Sequence, residues 1–168
     1  MIELSQKIPT INWLQNRLIS HKNGVIFDDE SYRCFNLLQD FIEANDHHFK
    51  TPVIYYQAFP EESAAEFIAT LREEVTAKLG KPETYLNKSL LEIITDVGLK
   101  MVIIDQCHLH PLDTLDSLLK QLQSCNVCLV LVGAYQKMEL SQILSHPCVA
   151  LWEQFTVDNQ CQCLTQVS

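Results

Sequence analysis

Between Met101 and Leu109 the chain reads MVIIDQCHL, an apolar run that ends on an aspartate followed by polar residues. An uninterrupted apolar run of this length, without polar alternation, predicts a strand covered on both faces. The aspartate then stands at its C-terminal end. Open α/β sheets take their ligands outside that end of the strands, so Asp105 is the first candidate functional residue. A second such run, VCLVLV at Val127–Val132, has the same character. Two doubly covered strands separated by a leucine-rich helical stretch restrict the fold to a mostly parallel sheet with helices on both sides.

The rest of the chain fits that frame. Thr10 is expected to cap a short helix with Ile11, Leu14 and Leu18 on one face and Trp13 beside it. Lys22-Asn23-Gly24 is a turn, and Val25–Phe27 is a short apolar run, either a stub strand or a packing anchor. Asp28 or Asp29 is expected to cap a helix to about Ala44 with Cys34, Leu38, Phe41 and Ile42 inward. Pro52–Tyr56 reads as a strand with proline at its first position, where a missing donor is tolerated. A helix over roughly Glu62–Leu79 carries Ala64, Ile68, Leu71 and Val75 and stops at Gly80 and Pro82. Another, about Thr84–Val97, carries Leu86, Leu90, Ile93 and Val97 and ends at Gly98. Pro111 and Asp113 open a helix bearing Leu115, Leu118, Leu119 and Leu122. A helix near Lys137–Leu144 leads to a tail from Val149, with Gln160–Gln166 as a possible last strand on which Cys161 and Cys163 share a face. The expected organisation is one domain over residues 1–168, with a helical arm over 1–50 and an α/β core over 51–168.

Composition excludes several function classes. A net charge of −9 opposes a large phosphate-backbone footprint, so the chain is not expected to hold DNA strongly on its own. No apolar run approaches the roughly 18 residues needed to span a bilayer, and the N-terminus MIELSQKIPT lacks the basic-then-apolar pattern of a secretory signal. Seven cysteines, an odd number without framework spacing, fit reduced thiols and a cytoplasmic setting.

Val102-Ile103-Ile104-Asp105-Gln106 has the form of a Walker B strand, in which the aspartate holds magnesium and a following glutamate prepares the attacking water. The order of segments completes a likeness. A WLQ helix (Trp13-Leu14-Gln15), the PVIYY strand, a helical pair, MVIIDQCHL, a leucine-rich helix and VCLVLVGA follow one another. Together they resemble the TniB/TnsC group of AAA+ ATPases, regulators of DNA transposition. In that likeness Trp13-Leu14-Gln15 resembles the N-terminal arm, and Leu129–Gly133 resembles the strand carrying sensor 1. Leu151–Phe155 resembles a later segment where the family often has arginine before phenylalanine. The resemblance covers roughly residues 10 to 157. It implies a three-layer P-loop NTPase/AAA+-like core. The chain ends soon after that core, so no C-terminal lid is expected.

The departures bear directly on chemistry. A P-loop needs glycines that let backbone N–H groups turn inward, a lysine for the phosphates and a Ser/Thr for magnesium. The chain has four glycines, and its only Gly-Lys pair, Gly80-Lys81, is followed by Pro82 and sits at a helix end. Two accounts of the missing cradle stand side by side. In one, Asp28–Ala44 matches a helix before the P-loop strand, and the strand, loop and following helix are deleted up to Pro52. In the other, Val25–Phe27 is the remnant first strand and Asp28-Asp29-Glu30 replaces the loop, where acidic residues repel phosphate. Three further roles are vacant. Gln106 stands at the catalytic glutamate, Gly133-Ala134 at sensor 1, and Gln154 at the arginine-finger position, where a neutral amide cannot supply the charge.

Other candidate chemistry is weaker. Asp105, Cys107, His108 and His110 have metal-ligating side chains, but a strand-end aspartate that caps backbone N–H groups explains them more simply. Cys125-Asn126-Val127-Cys128 runs into a strand, where an offset of three sends the sulfurs to opposite faces. A cysteine hydrolase built on Cys107 has no supporting nucleophile elbow.

The sequence therefore predicts a non-hydrolysing, AAA+-like adaptor without cofactor or metal. The resemblance implies a transposition setting, with a full-length TniB/TnsC-type ATPase, a transposase or a target-selection protein as partner. Trp13, His108, Leu109, His110, Trp152 and Phe155 are the expected contact residues. The alternatives are a divergent ATPase that binds nucleotide unconventionally and a stand-alone scaffold.

Overall fold

The computed structural model describes residues 4–28, 33–45, 52–78, 82–109, 112–134 and 138–157. Five strands form one sheet, all parallel: β1 (Gly24–Asp28), β2 (Val53–Gln57), β3 (Met101–Asp105), β4 (Cys128–Ala134) and β5 (Glu153–Val157), in the spatial order β2-β3-β4-β1-β5. The helices are α1 (Leu4–Ser20), α2 (Arg33–Ala44), α3 (Ala64–Lys78), α4 (Leu90–Val97), α5 (Leu112–Gln123) and α6 (Met138–Ser145).

Strand alternation divides the core in two. Val25, Phe27, Ile54, Tyr56, Val102, Ile104, Leu129 and Leu131 point to one face, where residues of α3, α4, α5 and α6 cover them. Ile26, Val53, Met101, Ile103, Val130, Val132 and Phe155 point to the other, beneath α1 and α2. This division follows from the path of the chain. From β2 through β3 and β4 to β5 the chain moves one way across the sheet, with its helices on the first face. From β1 to β2 it moves the opposite way, with α2 on the second face. A single hand of crossover requires face and direction to change together. The two directions diverge between β1 and β4, which makes the crevice outside their C-terminal ends the topological switch point.

Several sequence expectations change here. The run Val25–Phe27 is a full strand, hydrogen-bonded to β4 on one side and β5 on the other. The helical arm expected over residues 1–50 is thus no unit apart from the core, because it contributes a central strand. Helix α1 begins six residues before Thr10, which lies buried inside it, and Pro9 is accommodated within the helix. Asp28, expected as a possible helix cap, closes β1. The helix expected over Thr84–Val97 is a 3-10 turn at Pro82–Tyr85 followed by α4. Ser89 starts α4 with a reciprocal capping box to Glu92, and Gly98 ends it at φ 64°. Leu86, expected inward, is exposed. Strand β4 runs through Gly133 to Ala134. The expected tail contains edge strand β5, whose start is polar and whose apolar alternation is confined to Phe155 and Val157. The possible strand at 160–166 lies outside the described residues. Among the described residues no helix is long and apolar enough to cross a membrane.

Helix α1 is fastened across the start of β1 and β5. The Trp13 indole lies over Gly24, donates from Nε1 to Glu153 Oε1 at 2.9 Å and packs on Phe155 with ring centroids 5.4 Å apart. Arg17 closes the group with an ion pair to Glu153 at 2.6 Å. A Cβ at Gly24 would overlap Trp13 Cη2 and lie 2.8 Å from Cζ2. Gly24→Ala is therefore expected to destabilise the fold by about 1–3 kcal/mol, the usual cost of overpacking. Adding Trp13→Phe, which removes the overlapping ring edge, should recover part of that loss. Urea unfolding of the two single variants and the double variant measures the coupling.

Candidate functional site

The C-terminal ends of β1, β3 and β4 bring Asp28, Asp105 and Ala134 to the switch-point end of the sheet. Both aspartates are buried, Asp105 at 2% exposure and Asp28 at 1%. Asp105 is held from two sides. Tyr55 donates its hydroxyl to Oδ2 at 2.5 Å, and the Gln106 N–H donates to Oδ1 at 2.7 Å. Each carboxylate oxygen therefore already accepts from a protein donor. Tyr55 comes from β2, which pairs in register with β3, and Phe35 of α2 packs edge-on against its ring at 5.7 Å.

The backbone after Asp105 turns sharply. Gln106 has φ 52°, a left-handed conformation uncommon outside glycine. That turn lets its N–H reach back to the aspartate and starts a 3-10 turn, Cys107–Leu109, whose Leu109 N–H donates to Gln106 O at 2.9 Å. On the strand side, Ala58 N–H donates to Asp105 O at 2.9 Å. Asp105 is thus a capping residue that fastens β2, β3 and the following turn together.

Burial raises the Asp105 pKa above the ordinary aspartate range; the Tyr55 and Gln106 donors act the other way, and the negative charge of Asp28 raises it further. The same environment silences Cys107. Its thiol is fully buried and pushed up to about 12, first by desolvation and then by the charge of Asp105. A protonated thiol is a poor nucleophile, so the burial of Cys107 works against its use as one. Cys128, in β4, is likewise pushed up to about 12 by burial, and its Sγ donates to Lys22 O.

The sequence-derived candidates separate clearly. Val102, Ile103 and Ile104 are fully buried strand residues. Gln106 sits beside Asp105, its amide N–H engaged as described. Gly133 and Ala134 end β4, and the Ala134 N–H points at His108 Nδ1 at 3.5 Å. His108 is buried and packs against the end of β4. Leu109 is half-buried, and His110 lies outside the described residues. Gln154 stands on edge strand β5, opposite Val25 of β1. Trp13 and Phe155 are buried in the chain's own core, and Trp152 packs partly against it. These three aromatic groups are internal packing residues here, with Trp13 and Phe155 pinning α1 to β5. Asp29 and Glu30 lie outside the described residues.

Two features were invisible in the sequence. Tyr55 gives no sign that it serves a residue fifty positions away, because only strand pairing brings it there. Asp28 looked like a helix cap, whereas its burial at the switch point depends on β1 lying inside the sheet.

Asp105→Ala leaves the Tyr55 hydroxyl and the Gln106 N–H without their acceptor, so it should destabilise by about 1–3 kcal/mol. Asp105→Asn keeps one acceptor and offers an N–H to the Tyr55 oxygen, so the loss should stay within about 1 kcal/mol. Their pH dependence has a definite sign. The folded chain holds the Asp105 proton more tightly than the unfolded chain does. Stability from this group is therefore greatest below the ordinary aspartate pKa of about 4 and falls as pH rises through the elevated folded value. The stability of Asp105→Asn relative to the parent should rise over the same interval, as read by urea unfolding at acid and neutral pH.

No protein-family model matches the chain, and no curated protein matches it.

Proposed function

We propose that this protein is a non-hydrolysing adaptor built on an AAA+-like core, acting through protein contacts in a DNA transposition system. The observation that carries the reading is the state of Asp105. The aspartate at the Walker B position is buried and raised in pKa, with both oxygens hydrogen-bonded inside the chain. A magnesium-binding aspartate needs an ionised oxygen turned toward the cation and its waters. Here that oxygen fastens the sheet edge.

The vacant roles agree with it. Gln106 cannot take a proton from water, Ala134 has no polar side chain, and Gln154 has no charge for a neighbour's phosphate. The central position of β1 favours the alignment that keeps the first strand and replaces the loop after it. Asp28 then stands where phosphate would approach, and its charge opposes an anion.

Contacts with other proteins have a surface available. Strand β2 is an outer strand of the sheet, and a groove of about 530 Å³ runs beside it between α2 and α3. The exposed rings of Phe35 and Phe59 flank that groove. A full-length TniB/TnsC-type ATPase, a transposase or a target-selection protein is the partner class that the resemblance supports.

Nucleotide binding tests this reading. A ligand at a hundred times its Kd adds about 2.7 kcal/mol to folding stability, a thermal shift that is easy to see. MgATP at millimolar concentration is expected to give none. A magnesium-dependent shift that disappears in Asp105→Ala would instead identify a divergent ATPase.

A further inference from the structure

Metal-ligating side chains meet at a second place, away from the switch point. The turn after α6 reads His146-Pro147-Cys148 and is tightly wound. Val149 and Ala150 N–H groups both donate to His146 O at 2.9 Å, and the Cys148 N–H donates to His146 Nδ1 at 3.2 Å. Asp116, in the second turn of α5, faces this turn. Its Oδ1 lies 3.0 Å from His146 Nε2, and its Oδ2 pairs with Lys120 Nζ at 2.5 Å. One carboxylate oxygen of Asp116, one ring nitrogen of His146 and Cys148 Sγ all lie within 4.8 Å of one another. Among the described residues, this is the group of three or more such side chains that comes together.

We propose that Asp116, His146 and Cys148 form a binding site for a borderline divalent transition metal, zinc in preference to magnesium or calcium. The donor set selects the metal. Oxygen, imidazole nitrogen and thiolate sulfur suit zinc, whereas magnesium and calcium take oxygen alone. The spacing fits as well. Tetrahedral zinc with ordinary bond lengths holds oxygen, nitrogen and sulfur ligand atoms about 3.3–3.6 Å apart, close to the spacing within 4.8 Å that these three side chains already have. Three protein ligands leave a fourth position for water or for a side chain of a partner.

Lys120 marks the place as one suited to a cation. Its ammonium neutralises Asp116, with Nζ against Oδ2. Its side chain is 67% exposed and can swing into solvent when a divalent ion replaces it. The proton balance is defined. Because the Cys148 N–H occupies Nδ1, the metal-free imidazole carries its proton on Nε2, facing Asp116. Metal binding at Nε2 transfers that proton to Nδ1 and breaks the hydrogen bond from the Cys148 amide. The Cys148 thiol releases one proton to solvent as its sulfur bonds the metal, so the net release is one proton per ion. A bound ion clasps the turn before β5 to α5. Cys107 and Cys128 do not compete, since both thiols are buried and held protonated.

Cobalt(II) is the probe, because a thiolate–cobalt bond gives a near-ultraviolet charge-transfer band. Titration of the reduced, metal-free full chain at neutral pH should show one cobalt per chain and release of one proton, with zinc displacing the cobalt. Cys148→Ser should abolish the band. Asp116→Asn should weaken binding more than about tenfold, the least that losing even an outer-shell partner usually costs, and it serves as the second variant if Cys148→Ser does not fold. Lys120→Met, which removes the competing ammonium, should tighten binding. A chain without the band at millimolar cobalt, or one whose band and affinity survive both Cys148→Ser and Asp116→Asn, overturns the proposal.

Discussion

Strand β1 is the member on which the sheet depends. It is hydrogen-bonded along its length to β4 and β5, and its side chains are buried on both faces. Without it β5 has no neighbour, and the two halves of the core lose the wall between them. The strand is only five residues long, so its neighbours must hold it from outside. Helix α1 does so by laying Trp13 across Gly24 and tying both Trp13 and Arg17 to Glu153. Glycine at the first position of β1 allows this close approach, because any Cβ there would occupy the space of the indole.

The path of the chain then decides where chemistry can occur. Once β1 lies between β4 and β5, the crossovers must diverge beside it, and the ends of β1, β3 and β4 define the open edge. In this chain that edge carries two buried carboxylates and no glycine-rich cradle. Asp105 is stabilised by Tyr55 and by the left-handed turn at Gln106, so the carboxylate serves structure. Burial, against the pull of those two donors, shifts this aspartate toward its protonated form, which weakens it further as a cation ligand.

The two aspartates and the Asp116 group show how the same residue types acquire different roles. Asp105 is enclosed, with its oxygens committed to an O–H and an N–H donor. Asp116 is only partly covered and shares its charge with a lysine and a histidine that water can reach. Exchange of partners is costly in the first setting and easy in the second, because solvent can satisfy whatever is displaced.

Sequence by itself determined the fold class and most of the helices. The runs MVIID and VCLVLV can be buried only as doubly covered strands, and the leucine spacing of α5 and the glycine stop of α4 are local signals. It also determined the absence of a P-loop's glycines and lysine, since that is a matter of residue types. Tertiary structure decided the rest. The rank of Val25–Phe27 as a central strand depends on partners more than a hundred residues away, and so does the existence of β5. The enclosure of Asp105 by Tyr55 arises from the register between β2 and β3, and the meeting of Asp116 with His146 and Cys148 arises from the packing of α5 against the turn after α6. Local periodicity reports which face of an element is apolar. It does not report which element that face will meet, and every feature of the two sites depends on that meeting.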